Sequence, residues 1–194
     1  YNNNLDLSLL IETRSRLDIN NLYNISNEFK LSFIVKGTGH EYRILDEVKK
    51  LNSKLIVPIN FPKAPKIYAS YDFYTTNLET LKHWENAQNN LLTLKNENIE
   101  FSITSSGNKT AKDFWSNLRK VYKSGLTEGD ILEALTTIPA RYIGEEKNIG
   151  SIEKGKYANF IVFDKPLFAK NSRLIENWVQ GTKYNINKEK PSVE

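Results

Sequence analysis

The stretch LSFIVKGTGHEYRILDEVKKLNSKLIVPI, residues 31–59, decides the fold of this chain. It opens and closes with short apolar runs, residues 31–35 and 55–59, of the length typical of buried strands. Between them, a turn at Gly37-Thr38-Gly39 precedes a segment whose apolar residues recur at helical spacing: Ile44, Leu45, Val48 and Leu51. The stretch therefore predicts a strand, a helix and a second strand.

The same alternation continues on both sides of this unit. Leu5–Ile11 predicts a strand before a helical pattern, and a further helical pattern runs from about Leu78 through Leu94. Glu100–Thr104 then predicts another strand before a helix that Thr110 begins and Gly125 ends. Parallel strands need long crossover connections, so four strands alternating with helices predict an α/β fold with a parallel sheet. This pattern fits an open doubly wound sheet or part of a (β/α) barrel. After Gly144, three short β-like pieces (149–152, 158–163 and 174–179) predict a separate β-rich tail.

Composition excludes several kinds of site and partner. The chain has no Cys, which excludes disulfides and sites built on thiolates. Its formal charge of +4 is spread without a block of like charges, so we expect no nucleic-acid partner. No apolar run is long enough for a membrane span. The chain also has no Met, and we therefore expect residues upstream of Tyr1.

The segment GLTEGDILEALTTIPARYIGEEKNIGSIEKGKYANFIVFD, residues 125–164, resembles the C-terminal signature of the amidohydrolase superfamily. The resemblance rests on a helix motif, a Gly-Ser-Ile and Gly-Lys-x-Ala-Asn motif, and a returning strand: Gly125, Leu126, Leu135, Thr136, Pro139, Ala140, Gly150, Ser151, Ile152, Gly155, Lys156, Ala158, Asn159, Trp178, Val179 and Gly181. Upstream, VPINFPKAP (57–65), LKHWENA (81–87) and DFWSNLRK (113–120) are similar to the imidazolonepropionase-related amidohydrolases common in Bacteroidetes.

The resemblance implies a C-terminal fragment of a larger hydrolase. Residues 1–144 correspond to the second half of a (β/α)8 TIM-type barrel with about four βα units, 145–187 to part of a small β-sandwich, and 188–194 to a tail. The implied activity is hydrolysis of C–N bonds in cyclic or linear amides, so a small-molecule amide is the expected substrate. A half barrel has open sheet edges, and we expect the missing N-terminal half of the same protein or another copy of the chain to cover them.

The resemblance also implies where chemistry takes place. Family members hold one or two divalent metal ions at the mouth of the barrel, where a metal-bound water becomes a nucleophile. The ligand positions of this half fall on Glu12, Lys36 and Ser106, and none carries the expected His or Asp. We therefore expect no metal or other cofactor in this fragment, and a divalent ion such as zinc only in the parent protein. The parent remains a hydrolase by resemblance, while the fragment alone is expected to be inactive.

Glu12, Lys36, His40 and Ser106 are the candidate catalytic residues, all at the predicted barrel mouth. An ion pair between Lys36 and Glu12 is the preferred interpretation, and the alternative is a desolvated Lys36 amine that acts as a nucleophile. His40 is a functional candidate, a helix cap or an exposed residue, and a shifted alignment makes it the strand-six ligand instead. His83 is interpreted as a helix residue that packs through its ring.

Two further segments have alternative interpretations. The aromatic-rich segment Phe61–Tyr74 covers a substrate, packs under the barrel rim or forms a protein interface. The basic residues of 109–123 interrupt an apolar stripe, which favours the solvated outer face of a core helix. No glycine-rich phosphate-binding motif is present.

Overall fold

The fold is given by a computed structural model, which describes residues 9–65 and 77–186. The chain forms two compact units, Tyr1–Thr127 and Glu128–Glu194. The domain boundary predicted between residues 144 and 145 stays a prediction.

The first unit alternates strands and helices. Its strands are β1 (Leu9–Glu12), β2 (Phe33–Lys36), β3 (Lys54–Pro58) and β4 (Phe101–Thr104). Its α-helices are α1 (Arg16–Phe29), α2 (Leu45–Leu51), α3 (Leu78–Asn86), α4 (Asn90–Asn96) and α5 (Ala111–Lys123), with short 3-10 helices at Glu41–Arg43 and Ala87–Asn89. The helix expected over residues 78–94 is therefore two helices separated by a 3-10 turn.

The four strands form one parallel sheet in the order β1-β2-β3-β4. The predicted α/β fold with a parallel sheet is confirmed, and the sheet is consistent with part of a TIM-type barrel. The register pairs Glu12 with Lys36, the last residues of β1 and β2. Because the strands are parallel, their carboxyl ends lie at the same end of the sheet, where the sites of such folds lie.

Successive side chains of a strand point to opposite faces of the sheet, and both faces carry buried residues. One face carries Val35, Leu55, Val57 and Phe101, all of which are buried. The other face carries the buried Ile34 and Ser102, together with the exposed Leu10 and the partly exposed Lys36. The first face forms the core with Leu91, Leu94, Leu118 and Val121 of the helices. Of the candidate site residues, Glu12 and Lys36 lie on the other face, whereas His40 and Ser106 lie in loops.

Local signals set the helix ends. Ser15 and Asp18 form a capping box at the start of α1, where each side chain accepts a hydrogen bond from the other's backbone N–H. Thr110 caps α5 as predicted, because its hydroxyl accepts from the backbone N–H of Asp113 at 3.1 Å. Gly125 follows α5 with a φ of +118°, a conformation that glycine adopts without strain.

The second unit contains helices α6 (Glu128–Leu135) and α7 (Thr137–Tyr142) and an antiparallel sheet of β5 (Phe160–Phe163), β6 (Leu174–Val179) and β7 (Thr182–Asn185). The β-like piece predicted at 149–152 is wrong: the backbone N–H of Ile149 donates to Glu145 O at 3.0 Å and Gly150 turns with a φ of +94°. No residue of the three strands is buried. The expected sandwich stays a prediction.

Helices long and apolar enough to cross a membrane do not occur in the described ranges.

Candidate functional site

Glu12 and Lys36 meet at the carboxyl ends of β1 and β2. The Lys36 Nζ donates a hydrogen bond to Glu12 Oε1 at 2.8 Å, so the two residues form an ion pair. The hydrogen bond and the charge of Lys36 lower the pKa of the Glu12 carboxyl, with a smaller contribution from the charge of Arg14 and against the opposing effect of burial. Lys36 is the better covered partner, with 23% of its side chain exposed against 61% for Glu12. The opposite charges of Glu12 and Lys36 thus neutralise each other at the carboxyl-terminal end of the sheet.

Ser106 lies apart from this pair. It follows β4, and β3 separates that strand from β2. Its backbone N–H donates to Thr104 Oγ1 at 3.2 Å, and Gly107 beside it turns with a φ of +79°. The structure brings together two of the four predicted site residues, Glu12 and Lys36. Ser106 follows β4, which is the outer strand on the other side of the sheet from β1.

The loop after β2 is organised around a buried carboxylate that the sequence analysis missed. Glu41 is 2% exposed, and its Oε1 accepts hydrogen bonds from the backbone N–H groups of Thr38 and Gly39 at 2.6 and 2.9 Å. Its Oε2 accepts from the Asn90 side-chain amide at 2.6 Å, and Asn90 Oδ1 in turn accepts from the backbone N–H of Tyr42 at 2.8 Å. The buried charge is thus surrounded by donors, which is the condition for its stability inside a protein.

His40 lies beside His83 in this loop. The two imidazole rings are stacked, with centroids 3.7 Å apart and planes inclined by 18°. His40 precedes the 3-10 helix at 41–43, and its side chain makes no capping hydrogen bond there. His83 packs through its ring, as the sequence analysis interpreted it, although nothing in the sequence indicated His40 as the partner.

A chain of polar contacts extends from His83. Its Nδ1 lies 3.2 Å from the Tyr42 hydroxyl, which accepts a hydrogen bond from Arg43 Nε at 2.9 Å. The Arg43 guanidinium also donates to Glu79, to the carboxylate at 2.5 Å and to the backbone carbonyl at 3.1 Å. Sequence reasoning missed Tyr42, Arg43 and Glu79 as site residues. Tyr42 and Arg43 lie close in sequence to the predicted turn at 37–39, and this closeness was the only indication of a role for them. Glu79 is distant from that turn in sequence, so nothing indicated it.

A cleft of about 490 Å³ lies next to these contacts. Tyr42 and Arg43 form one side, and the segment 77–86 forms the other through Asn77, Leu78, Glu79, Lys82 and Asn86. Much of the aromatic segment Phe61–Tyr74 lies outside the described residues. Of its described part, the Phe61 ring lies 5.8 Å from the Lys120 ammonium.

The basic segment 109–123 forms α5 and carries its charges outward. Leu118 and Val121 are fully buried, whereas Lys112, Arg119 and Lys123 are exposed. This is the solvated outer face of a core helix that the sequence favoured.

The residues present do not fit a divalent metal ion. Within residues 9–65 and 77–186, no three His, Cys, Asp or Glu side chains come together in a group that could hold one. Glu12 is bonded to an ammonium group, and a protonated Lys36 has no lone pair to donate to a metal. We therefore derive no reaction step through a metal held by these residues.

Solved structures share this fold. An amidohydrolase from Thermotoga maritima has a TM-score of 0.73 at 20% identity, and the match covers 93% of this chain and 44% of that one. A prolidase complexed with N-methylphosphonate-L-proline gives 0.56 at 12% identity, with 90% and 50% covered. A Xaa-Pro dipeptidase with bound methionine in its active site gives 0.55 at 11%, with 88% and 49% covered. The chain spans half or less of the length of each.

Sequence comparison gives the family. No curated protein matches the chain. The amidohydrolase family model matches residues 59–189, which is more than half of the chain and includes the motifs from Gly150 to Asn159. Because this match covers more than half of the sequence, the chain belongs to the amidohydrolase family.

Proposed function

We propose that the chain is the C-terminal part of an imidazolonepropionase-like amidohydrolase of the Bacteroidetes type, which hydrolyses C–N bonds in cyclic or linear amides. The observation that carries the proposal is the family match over residues 59–189. The names of two proteins that share the fold describe peptidases, and a peptide bond is a C–N bond. The substrate of the parent protein is therefore a small amide.

This proposal keeps the domain division stated from the sequence. Residues 1–144 contribute half of a barrel, 145–187 contribute part of a small β-sandwich, and 188–194 form a tail. The missing N-terminal half, or another copy of the chain, covers the open strand edges. The exposure of Leu9 and Leu10 on β1 supports this part of the proposal, because apolar side chains on an edge strand favour pairing.

In this half of the parent, Glu12, Lys36 and Ser106 replace the usual metal ligands. Any metal that serves hydrolysis is held by residues outside this chain. Lys36 then offers an ammonium group to a substrate oxygen, Glu12 holds that group in position at 2.8 Å, and Ser106 offers a hydroxyl across the sheet. His40, engaged with His83, is a less direct candidate.

A second candidate function is a catalytically degenerate half barrel that binds a ligand or a partner domain. The observation that favours it is the Glu12–Lys36 ion pair. By the family resemblance, these two positions are ones at which this half would supply metal ligands. In this case the family motifs reflect common descent and not a retained activity. The cleft would bind the ligand, or the open strand edges would bind the partner domain.

The two candidates predict different results for the parent protein, purified without chelators. Elemental analysis would measure its metal content, and a pH-stat would measure carboxylate release from a panel of dipeptides and cyclic amides. The first candidate predicts stoichiometric metal and hydrolysis that falls in Lys36→Met, with Leu17→Ala as the matched control because Leu17 is 71% exposed on α1. Absence of both metal and hydrolysis would overturn it in favour of the second candidate.

A further inference from the structure

The stacked histidines form a contact between two elements that are distant in sequence. His40 lies in the loop after β2 and His83 lies on α3, and they are the only histidines in the chain. Both rings are partly buried. A single ring carrying a charge is tolerated in such a stack, but two charged rings at a centroid distance of 3.7 Å repel each other.

The contact between Tyr42 and His83 is compatible with a neutral His83 ring. The Tyr42 hydroxyl oxygen accepts a hydrogen bond from Arg43 Nε, and its own proton can be donated to an unprotonated His83 Nδ1. In that tautomer the neutral ring carries its proton on Nε2. Protonation of Nδ1 would reverse this bond and add a second cation close to Arg43.

Contacts with the loop after β2 help to position helix α3. None of its nine residues is buried, and its anchor in the core is the 3-10 helix that follows it, where Ala87 is buried. The ring stack, the Tyr42–His83 contact and the two bonds from Arg43 to Glu79 join it to the loop after β2. The cleft of about 490 Å³ lies between that loop and α3, so it exists only while α3 stays in place.

We propose that the His40–His83 stack is an acid-sensitive latch, and that proton uptake by the two rings releases α3 from the loop after β2 and dismantles the cleft. The proposal is independent of both candidate functions. The release of α3 then takes place over the pH range in which histidine titrates.

The charges that face the two rings set the direction of the effect. Burial and then the Arg43 charge lower the pKa of His40, against the opposing effect of Glu79. Burial, His40 and Arg43 lower the pKa of His83, against Glu41 and Glu79. Rings with depressed pKa values stabilise the closed latch above their ordinary pKa of about 6.5, and this contribution is lost as the pH falls.

The size of the effect follows from proton linkage. If the latched rings bind no proton and the released rings titrate normally, the release equilibrium shifts by up to about 10³-fold between about pH 7.5 and pH 5. A latch with one titrating ring shifts by up to about 30-fold over the same range. The number of histidines in the contact therefore determines the steepness of the response.

Two measurements on the full chain test the proposal. In ¹H–¹³C NMR spectra the two histidines give two ring signals, and both should titrate below the ordinary pKa. In His40→Phe the pKa of the remaining His83 ring should move back up, because the charge of His40 contributes to lowering it. Hydrogen exchange of the α3 amides, corrected for the intrinsic rate, should show protection that falls with pH, while α5 serves as the internal reference.

Matched variants separate the latch from general acid sensitivity. His40→Phe preserves an aromatic ring without a proton and should reduce the pH response of α3 towards the value for one ring. The double variant His40→Phe, His83→Asn should remove it, and Lys82→Gln, which changes an exposed charge on α3, should leave it intact. Ordinary pKa values for both rings, α3 protection that does not change with pH, or α3 amides unprotected at about pH 7.5 would each overturn the proposal.

Discussion

The buried carboxylate of Glu41 is expected to be a major contributor to the stability of the first unit. It is 2% exposed and accepts three hydrogen bonds, from the backbone of Thr38 and Gly39 and from the Asn90 side chain. Glu41→Ala leaves all three donors without this acceptor. An unsatisfied buried donor costs about 1–3 kcal/mol, and partial entry of water offsets some of the sum, so we expect a loss of about 3–5 kcal/mol.

Exchanging the carboxylate and the amide between positions 41 and 90 preserves the net charge. It tests whether the hydrogen bond between these two side chains causes the expected loss of stability. Glu41→Gln turns an acceptor towards the Asn90 amide into a donor, with an expected cost of about 1–3 kcal/mol. Asn90→Asp places a second carboxylate oxygen 2.6 Å from Glu41 Oε2 and is expected to cost at least as much. In the double variant, the Gln amide donates to the new carboxylate, and Asp at position 90 still accepts from Tyr42 N.

The assay is native-state hydrogen exchange at the buried amides of Val35 and Val57, which reports on the first unit alone. The double variant should recover at least about 1 kcal/mol relative to the sum of the single losses, as contacting residues in one network do. Strictly additive losses would refute the reasoning, because they would mean that Glu41 and Asn90 stabilise the loop independently of the bond between them.

Two more predictions concern the ends of the strands. Gly107→Ala should destabilise the first unit by about 2–3 kcal/mol, because an added Cβ would clash with the Asn60 side-chain amide and lie 3.0 Å from the Asn60 Cβ. The control Gly39→Ala has a similar positive φ, but its nearest atom lies 3.5 Å away, so it should cost about 1 kcal/mol. Equal losses of stability in urea unfolding would contradict this. Lys36→Met should raise the pKa of Glu12, measured by carboxyl ¹³C NMR, because it removes the bond and charge that lower it. The stabilisation from the lowered pKa is present above the ordinary value of 4.5 and disappears as the pH falls through the folded-state value, so the variant should lose less stability in acid. An unchanged Glu12 pKa would exclude Lys36 as the cause.

The sequence predicted the sheet because its strands carry apolar runs of buried length. It did not predict β7, since all four of its residues (Thr182–Asn185) are exposed and lack an alternating pattern. The break between α3 and α4 was also missed, because the 3-10 turn at Ala87–Asn89 preserves a nearly helical spacing of apolar residues. Periodicity reports burial, so elements without a buried face leave no trace in it.

The candidate site was predictable only where the sheet itself determines it. Glu12 and Lys36 end adjacent parallel strands in register, so the topology alone brings them together. Glu41 and Asn90 come together through a buried contact between a loop and a helix, which no spacing in the sequence encodes. The same holds for His40 and His83, because their stack depends on where α3 is placed.

Under the proposed function, the position of Glu12 and Lys36 at the ends of β1 and β2 explains how the family fold could persist without the usual metal ligands in this half. Val35 and Val57 are fully buried, whereas the side chains of Glu12 and Lys36 are 61% and 23% exposed. A ligand exchange at these two strand ends would leave the apolar surface around Val35 and Val57 in place, so it would cost little of the stability that burial provides. The ammonium of Lys36 supplies a positive charge next to Glu12, in the place of the charge that a metal would supply under this proposal. The proposal thus makes the fold and the site depend on different side chains of the same strands, so that the ligands could be lost while the fold is kept.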